Sequence, residues 1–418
     1  MKILYLAPDI NLFLKQNGGA GTHIRASIAE LQKQHEVIIA LGGDLIRTSV
    51  ASQPIQNKAT ESPSFLQKIK KRGSKWIPEE IKNTLHDYQR KAFNVQVYAA
   101  SEKLLGKEGL PDVIYERSGY GYDVGMRLAA KYKIPLCMET DVIMLDLIKP
   151  DTSWLYNRFI YRKLEQKKYD TADTITVQSE YSVEIAKKYW NIPHNFVFNK
   201  DLGITLSQHN NLANLDVRTK YGIKNSSYIV GYVGIFQRYQ NVQILLEAAK
   251  WLQNEDIVFM LVGGGRDLEE FKQFVAKNAL KNVIFTGVVD KSEVHAYYQA
   301  IDLGVIPDCA YHMYPVKFLE FGVIPKPVLV PKYEVFAPFF PTKTDFSQFT
   351  FQPKQAQDLS EKIKYMQQNA AKFGNSVAFT KKYILENNTW EICGRKIEYA
   401  LKQAISRKFT QISADSSR

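Results

Sequence analysis

Along most of this chain, short apolar runs alternate with longer stretches in which apolar residues recur every three or four positions. The runs read as strands buried on both faces of a parallel sheet, and the stretches between them as amphipathic helices. In the first half the strands are Lys2 to Leu6, Glu36 to Leu41, Asp112 to Arg117, Ile134 to Asp141, and the strand and turn Ala172 to Glu180. Ile24, Ile28 and Leu31 mark a helix running to Gln34, and further helices are predicted over 78–105, 123–132 and 181–190. After Asp201 to Thr205 a polar stretch, Ser207 to Asn214, separates the two halves.

The second half restarts the pattern. Strands at Tyr228 to Gly234, Ile257 to Val262, Val283 to Gly287, Leu303 to Ile306 and Pro327 to Val330 alternate with helices over 242–252, 268–279 and 293–300. A helix opens at Pro315, where the missing N–H of proline costs nothing. No hairpin signal interrupts the series, so the fold class is α/β with two Rossmann-like, doubly wound parallel-sheet domains. Their bounds are 1–205 and 206–380, followed by a helical segment over 381–407 and a polar, disordered tail over 408–418.

One segment breaks the rhythm. Residues 45–105 form an insertion in which Ser49 to Ser64 is polar and irregular, while Phe65 to Pro78 mixes five cations with Phe65, Leu66, Ile69, Trp76 and Ile77. Two readings stand: a peripheral contact with an anionic membrane or lipid-linked acceptor, or a solvated helix docking its few apolar residues on the domain.

Composition narrows the function classes. The 418 residues are 45% hydrophobic and 23% charged, which is globular. No window reaches the ~18 uninterrupted apolar residues of a membrane span, and the apolar part of the N-terminus is too short for a signal peptide. Cys137, Cys309 and Cys393 have no metal spacing and do not form a disulfide framework, which points to a reducing cytoplasm. The net charge of +12 suits acidic small molecules, anionic lipid or nucleic acid, but no nucleic-acid-binding motif accompanies it, so nucleic acid is not expected as a partner.

The candidate chemistry concentrates between Asp302 and Pro331. The loop from Pro307 to Tyr314 leads from a strand's carboxyl end into a helix, where open α/β sheets bind ligands. Lys317 could meet a phosphate there, and Glu320 could take two sugar hydroxyls. Alternatively the two are an ordinary i, i+3 pair on a solvated face. Asn17 to His23 is a glycine-rich loop of the kind that lets backbone N–H groups approach phosphate. Asp141, at a strand's end, is either a polar partner for a reacting hydroxyl or an N-cap.

Taken together, Pro315-x-Lys317-x-x-Glu320, then Lys326-Pro-Val328, resembles the nucleotide-sugar signature of the GT-B retaining glycosyltransferases of family 4 (glycosyl transferases group 1). Gly18-Gly19-x-x-x-His23, Val113-x-Tyr-Glu-Arg117, Leu261-Val-Gly263-Gly-Gly265, Val283-x-Phe-Thr-Gly287 and Trp390-Glu-Ile392 are similar to blocks of the same family, over nearly the whole chain. The resemblance implies two domains facing a central cleft and a last helix crossing back to the first domain. It also implies a nucleotide-diphosphate sugar as donor, a glycan or lipid-linked acceptor, and retention of anomeric configuration. No metal or other cofactor is expected. Donor-binding residues would be Gly18, Gly19, Gly234, Arg238, Gly263, Gly287, Val289, Lys317 and Glu320. His23, Glu139 and Asp141 would face the acceptor, and Asp141, Arg238 and Lys317 would be catalytic. The place of action would be the cytoplasm, at the inner face of the membrane if the basic segment binds lipid. The chain departs from the family where an Arg/Lys pair grips the diphosphate, reading Ile235 or Gln237 and Gln240, and where the first of two glutamates stands, reading His312. Those departures leave a second reading: a GT-B protein of weak or no activity that partners an active transferase.

Overall fold

The computed structural model describes residues 1–15, 19–51, 78–140, 153, 157–190, 192, 196–205, 215–237, 240–290 and 292–416. The chain divides into two compact units, one of Met1–Lys200 with Gly394–Arg418 and one of Asp201–Cys393.

The first unit is built on a six-stranded sheet. Its strands are β1 (Lys2–Ala7), β2 (Glu36–Leu41), β3 (Val113–Arg117), β4 (Leu136–Glu139), β5 (Thr174–Val177) and β6 (Val197–Asn199), in the order β2-β1-β3-β4-β5-β6. Every pairing is parallel. Because side chains alternate along a strand, this register puts Tyr5, Tyr115 and Cys137 in one row and Arg117, Glu139 and Thr176 in the next, all on one face. Ile24, Ile28 and Leu31 of the Gly19–Gln32 helix cover that face with Ile397, Ala400, Leu401 and Ala404 of the last helix. The opposite face carries Leu4, Leu6, Ile114, Leu136 and Ile175.

The second unit repeats the plan. Its strands are β7 (Tyr228–Val233), β8 (Ile257–Val262), β9 (Val283–Gly287), β10 (Leu303–Val305), β11 (Val328–Pro331) and β12 (Thr350–Phe351), in the order β12-β11-β10-β7-β8-β9. These pairings are also parallel. Its core is dense in rings, with Phe318 packed edge-on against Phe336 and Phe339 at centroid distances of 5.0 and 4.8 Å.

Three elements differ from the sequence reading. The first helix starts at Gly19, so the glycine loop is shorter and His23 is helical. A helix spans Gly42–Ala51 where the insertion was expected to open the irregular stretch. Leu45 and Ile46 pack it against the core, and Asp44 accepts from the Leu14 N–H at 2.8 Å. The last helix runs Trp390–Ser416, so the tail beyond 407 is not disordered as far as Ser416. Arg407 lies 4.0 Å over the Phe196 ring, and Lys408 is 3.9 Å from Asp173, which ties the helix down past the point where composition turns polar. The unit boundaries, after Lys200 and Cys393, also fall at different positions from those read in the sequence.

The long Glu79–Glu108 helix ends at Gly109, whose φ of 84° only glycine adopts readily and whose N–H caps the Leu105 carbonyl at 2.9 Å. Its inward face is polar for most of its length: Asn83, Asp87, Asn94 and Ser101 are buried with Val97 and Leu105. Asp87 accepts from Arg90 at 2.8 Å, from the Tyr161 hydroxyl at 2.7 Å and from the Ser153 N–H at 2.9 Å. Asn94 donates to Asp123 at 2.7 Å.

Candidate functional site

Each unit gathers polar groups at the carboxyl edge of its sheet. In the second unit the backbone comes first. Gly234 follows β7 and Gly263 follows β8, and the chain after one strand laces to the chain after the other. Gly234 N–H donates to Val262 at 2.9 Å, Phe236 N–H to Gly264 at 2.8 Å, and Gly263 N–H to Gly287 at 3.0 Å. Gly263 has φ +126°, and a Cβ there would overlap the Gly234 carbonyl, so no larger residue fits. A Cβ on Gly234 would stand 2.9 Å from the Tyr232 hydroxyl and 3.0 Å from Lys317 Nζ. The glycines therefore keep open the space beside the lysine.

Lys317 reaches this edge from the Val316–Gly322 helix, which follows β10. Its Nζ donates to the Tyr232 hydroxyl at 2.8 Å and to the Gln240 side-chain oxygen, and it lies 4.5 Å from the Tyr232 ring centroid. Burial lowers its pKa to about 8, with Glu320 and Cys309 pulling the other way. Among the described residues its hydrogen bonds go to neutral oxygens. Its positive charge is therefore not spent on a salt bridge there.

One turn along, Glu320 accepts from the Tyr298 hydroxyl at 2.6 Å. Burial, then Glu320, pushes the Tyr298 phenol well above its ordinary value, so the phenol stays a donor. Gly287 has φ +74° and pairs with Gly263 where the β8–β9 register shifts. Val289, just beyond, packs on the core while Val288 is exposed. His312, in the position of the absent glutamate, is buried with its ring against Tyr311. Gln240, in the position of an absent cation, is the residue that holds Lys317.

In the first unit, Glu139 is wholly buried at the end of β4. It accepts from Arg117 at 2.7 Å and the Tyr115 hydroxyl at 2.5 Å, and Lys200 and His23 stand 3.5 Å away. Burial alone would raise its pKa, but Lys200, His23 and Arg117 overcome this and hold the carboxyl well below its usual range. His23 is the reverse case: burial and then Lys200 lower its pKa well below the ordinary value, so the ring is neutral at pH 7. It lies between the Arg117 guanidinium and the Lys200 ammonium, the latter at 2.8 Å.

Lys317, Glu320, Gly234, Gly263 and Gly287 thus stand along one sheet edge in the second unit, and His23 with Glu139 in the first. Gly19 only opens its helix, and a Cβ there would meet nothing within 4 Å. Gly18, Asp141, Arg238 and the basic stretch Lys68 to Trp76 lie outside the described residues. The sequence reading missed Tyr232 and Gln240 as holders of Lys317, and Tyr115, Arg117 and Lys200 around Glu139. The period of two along β3, which puts Tyr115 and Arg117 on the face of Glu139, was the available signal. Nothing local marks Lys200, which joins by tertiary packing.

Comparison with known proteins bears on the fold and on the second unit. Residues 215–383 match the family model "Glycosyl transferases group 1". "Putative teichuronic acid biosynthesis glycosyltransferase TuaH" of Bacillus subtilis (strain 168) is 27% identical over 179 residues, which are 42% of this chain and 44% of that protein. The match thus spans less than half of the relative. Among solved structures, HepE from Anabaena in complex with UDP and glucose superposes with a TM-score of 0.66 at 16% identity, over 96% of this chain and 99% of that one. Sucrose-phosphate synthase from Thermosynechococcus elongatus does so with a TM-score of 0.70 at 16% identity, over 97% and 100%. The two six-stranded parallel sheets are those of the GT-B fold, and residues 215–383 form a glycosyl transferases group 1 domain within it.

Proposed function

We propose that this protein is a nucleotide-sugar-dependent glycosyltransferase whose donor diphosphate meets Lys317. The observation that carries the reading is the Lys317 ammonium, held by the neutral oxygens of Tyr232 and Gln240 at the glycine-lined edge of a group 1 domain. A cation fixed in advance stabilises the charge that builds on a leaving diphosphate without reorganising at the moment of reaction. Glu320 takes the ribose hydroxyls, and the backbone at Gly287 to Val289 lies against the base. The glycines let the chain approach the phosphates closely.

The acceptor is a glycan or lipid-linked glycan, the reading favoured by the likeness to a protein named for teichuronic acid biosynthesis. Transfer proceeds with retention, the leaving phosphate taking the acceptor's proton. Asp141 serves the acceptor, and Arg238 shares the diphosphate. His23 and Glu139, which are buried in their own ion-paired cluster, position the end of β4 rather than touch the acceptor. Five cations beside Trp76 in the 65–78 segment support contact with an anionic membrane. Among the described residues no helix is long and apolar enough to cross one.

A screen of UDP-, GDP-, ADP- and dTDP-sugars tests the reading. Slow release of free sugar from one donor, lost in Lys317→Gln, is expected. No turnover of any donor, with or without lipid-linked acceptors, would overturn it in favour of an inactive partner of another transferase.

A further inference from the structure

The order of the second sheet gives the proposed donor a direction. Its base lies beyond β9, at Gly287 to Val289, and its diphosphate at Lys317 and Gly234, beyond β10 and β7. In the order β12-β11-β10-β7-β8-β9, the group carried past the diphosphate then falls over the ends of β10 and β11. Asp308 follows β10 there, and Tyr333 follows β11. The Tyr333 hydroxyl donates to Asp308 Oδ1 at 3.0 Å, and the Cys309 N–H donates to the same oxygen at 2.8 Å. Asp308 is 8% exposed. Among the described residues its Oδ2 accepts no hydrogen bond, and the carboxylate forms no ion pair. Oδ2 is nevertheless not one of the polar atoms sealed from solvent without a partner, so a ligand at the sheet edge can reach it. Burial raises the pKa of Asp308, while its two hydrogen bonds, and then Lys354, favour the charged form. Cys309 ties this carboxylate to the phosphate contact: burial and then Asp308 raise the pKa of its thiol, and Lys317 opposes them, so Asp308 and Lys317 both stand close to Cys309.

We propose that Asp308, held in place by Tyr333, reads the transferred sugar: its Oδ2 accepts from a hydroxyl of a neutral hexose, and donors carrying a uronic acid are rejected. The inference rests on the transferase reading, with Lys317 as the phosphate contact. A buried carboxylate left without a cation is costly unless hydrogen bonds satisfy it, and a sugar hydroxyl supplies the bond that Oδ2 lacks. Such O–H to carboxylate bonds are short and strong. A site built to bond a hydroxyl discriminates sharply, because a substrate that cannot supply it leaves a buried polar group unpaired. A uronosyl group would do worse, since it sets a second carboxylate beside the first in a place sheltered from water. The Tyr333 hydroxyl fixes Oδ1 and so turns Oδ2 toward the ligand, which makes Tyr333 a positioning residue.

Calorimetric titration at pH 8 of the full chain tests this, first with free UDP, GDP, ADP and dTDP. The nucleotide that binds is then compared with its hexosyl ester and with the uronosyl counterpart oxidised at C6, which in the uridine case are UDP-glucose and UDP-glucuronate. In the wild type the uronosyl donor should bind about tenfold more weakly than the hexosyl donor, or worse. Asp308→Asn keeps an oxygen for Tyr333 and Cys309 to donate to and should stay folded by circular dichroism. It should bind the free nucleotide as the wild type does, lose hexosyl affinity, and shrink the uronosyl penalty to about threefold or less. Tyr333→Phe keeps the charge but loosens it, so hexosyl affinity should fall while the uronosyl penalty persists. Binding of the uronosyl donor by the wild type as tightly as the hexosyl one, as an attraction to Lys354 would produce, would overturn the proposal. So would an unchanged penalty in Asp308→Asn, or a loss of free-nucleotide affinity there equal to the loss of hexosyl affinity. Failure of all four free nucleotides to bind would instead overturn the transferase reading, and this inference with it.

Discussion

If Lys317 holds a donor diphosphate as proposed, nucleotide binding should depend on pH in a way that the surroundings of this lysine specify. Its pKa, lowered by burial to about 8, leaves about nine-tenths of the amine charged at pH 7 and about one-tenth at pH 9. If the charged form is the one that holds the diphosphate, affinity falls about tenfold across that interval, roughly 1.4 kcal/mol. The fold responds in the opposite sense. Between pH 8 and the ordinary 10.5 of lysine, the unfolded chain binds a proton that the folded chain lacks. The contribution of Lys317 to stability is therefore present above the unfolded value and lost as pH falls through 8. Calorimetric titration of UDP at pH 7, 8 and 9 into the wild type and Lys317→Gln reads the first effect and removes the ligand's own ionisation by difference. The variant should bind more weakly and with a flatter profile. Parallel slopes in the two proteins would refute the role of this amine, whatever their absolute affinities.

Three further outcomes follow from the same contacts. Glu320→Ala should weaken nucleotide binding by ~2–3 kcal/mol while the protein stays folded by circular dichroism, since a bidentate charged contact is lost from a half-buried position; unchanged affinity in a folded variant would remove Glu320 from the site. Glu139→Gln should destabilise the first unit by ~3–5 kcal/mol in urea, because it leaves Arg117 and Lys200 beside a neutral group in a buried setting. Since the Glu139 pKa is depressed, its stabilisation is complete above the ordinary carboxylate range and lost only as pH falls through the folded value, so wild type and variant should converge only in strong acid. Gly263→Ala should cost more than ~2 kcal/mol and abolish nucleotide binding, because the new Cβ meets backbone that cannot move aside; a variant of normal stability would show that the β7 and β8 loops do not approach as described.

What was legible in the sequence was what local chemistry fixes. The buried runs became strands because β-branched residues without polar interruption suit only a sheet covered on both faces. The proline-led helix after a buried strand placed Lys317 and Glu320 at a sheet's carboxyl edge. Spacing alone left them an ordinary i, i+3 pair, and it was the resemblance of Pro315-x-Lys317-x-x-Glu320 to a nucleotide-sugar signature that made them stand out. What escaped depended on contacts between distant positions. Gln240 looked like a lost cation, yet its side-chain oxygen holds Lys317, 77 residues away. Lys200 gives no sign in its neighbours that it will reach Glu139. The start of the first helix was misplaced because Gly19, Ala20 and Gly21 read as loop by propensity, whereas burial of Gly21, His23 and Ile24 carries the helix through them. The Glu79–Glu108 helix was predicted by its period, but the period alone could not tell which face turned inward.

The central claim is that a nucleoside diphosphate binds at the edge formed by Gly234, Gly263 and Lys317. Saturation-transfer NMR with UDP, GDP and ADP, each against the wild type and Lys317→Gln, tests it most directly. One nucleotide should show strong transfer to its base and ribose protons in the wild type, reduced at least tenfold in the variant at equal concentration. No transfer from any of the three, or transfer equally strong in both proteins, would contradict it.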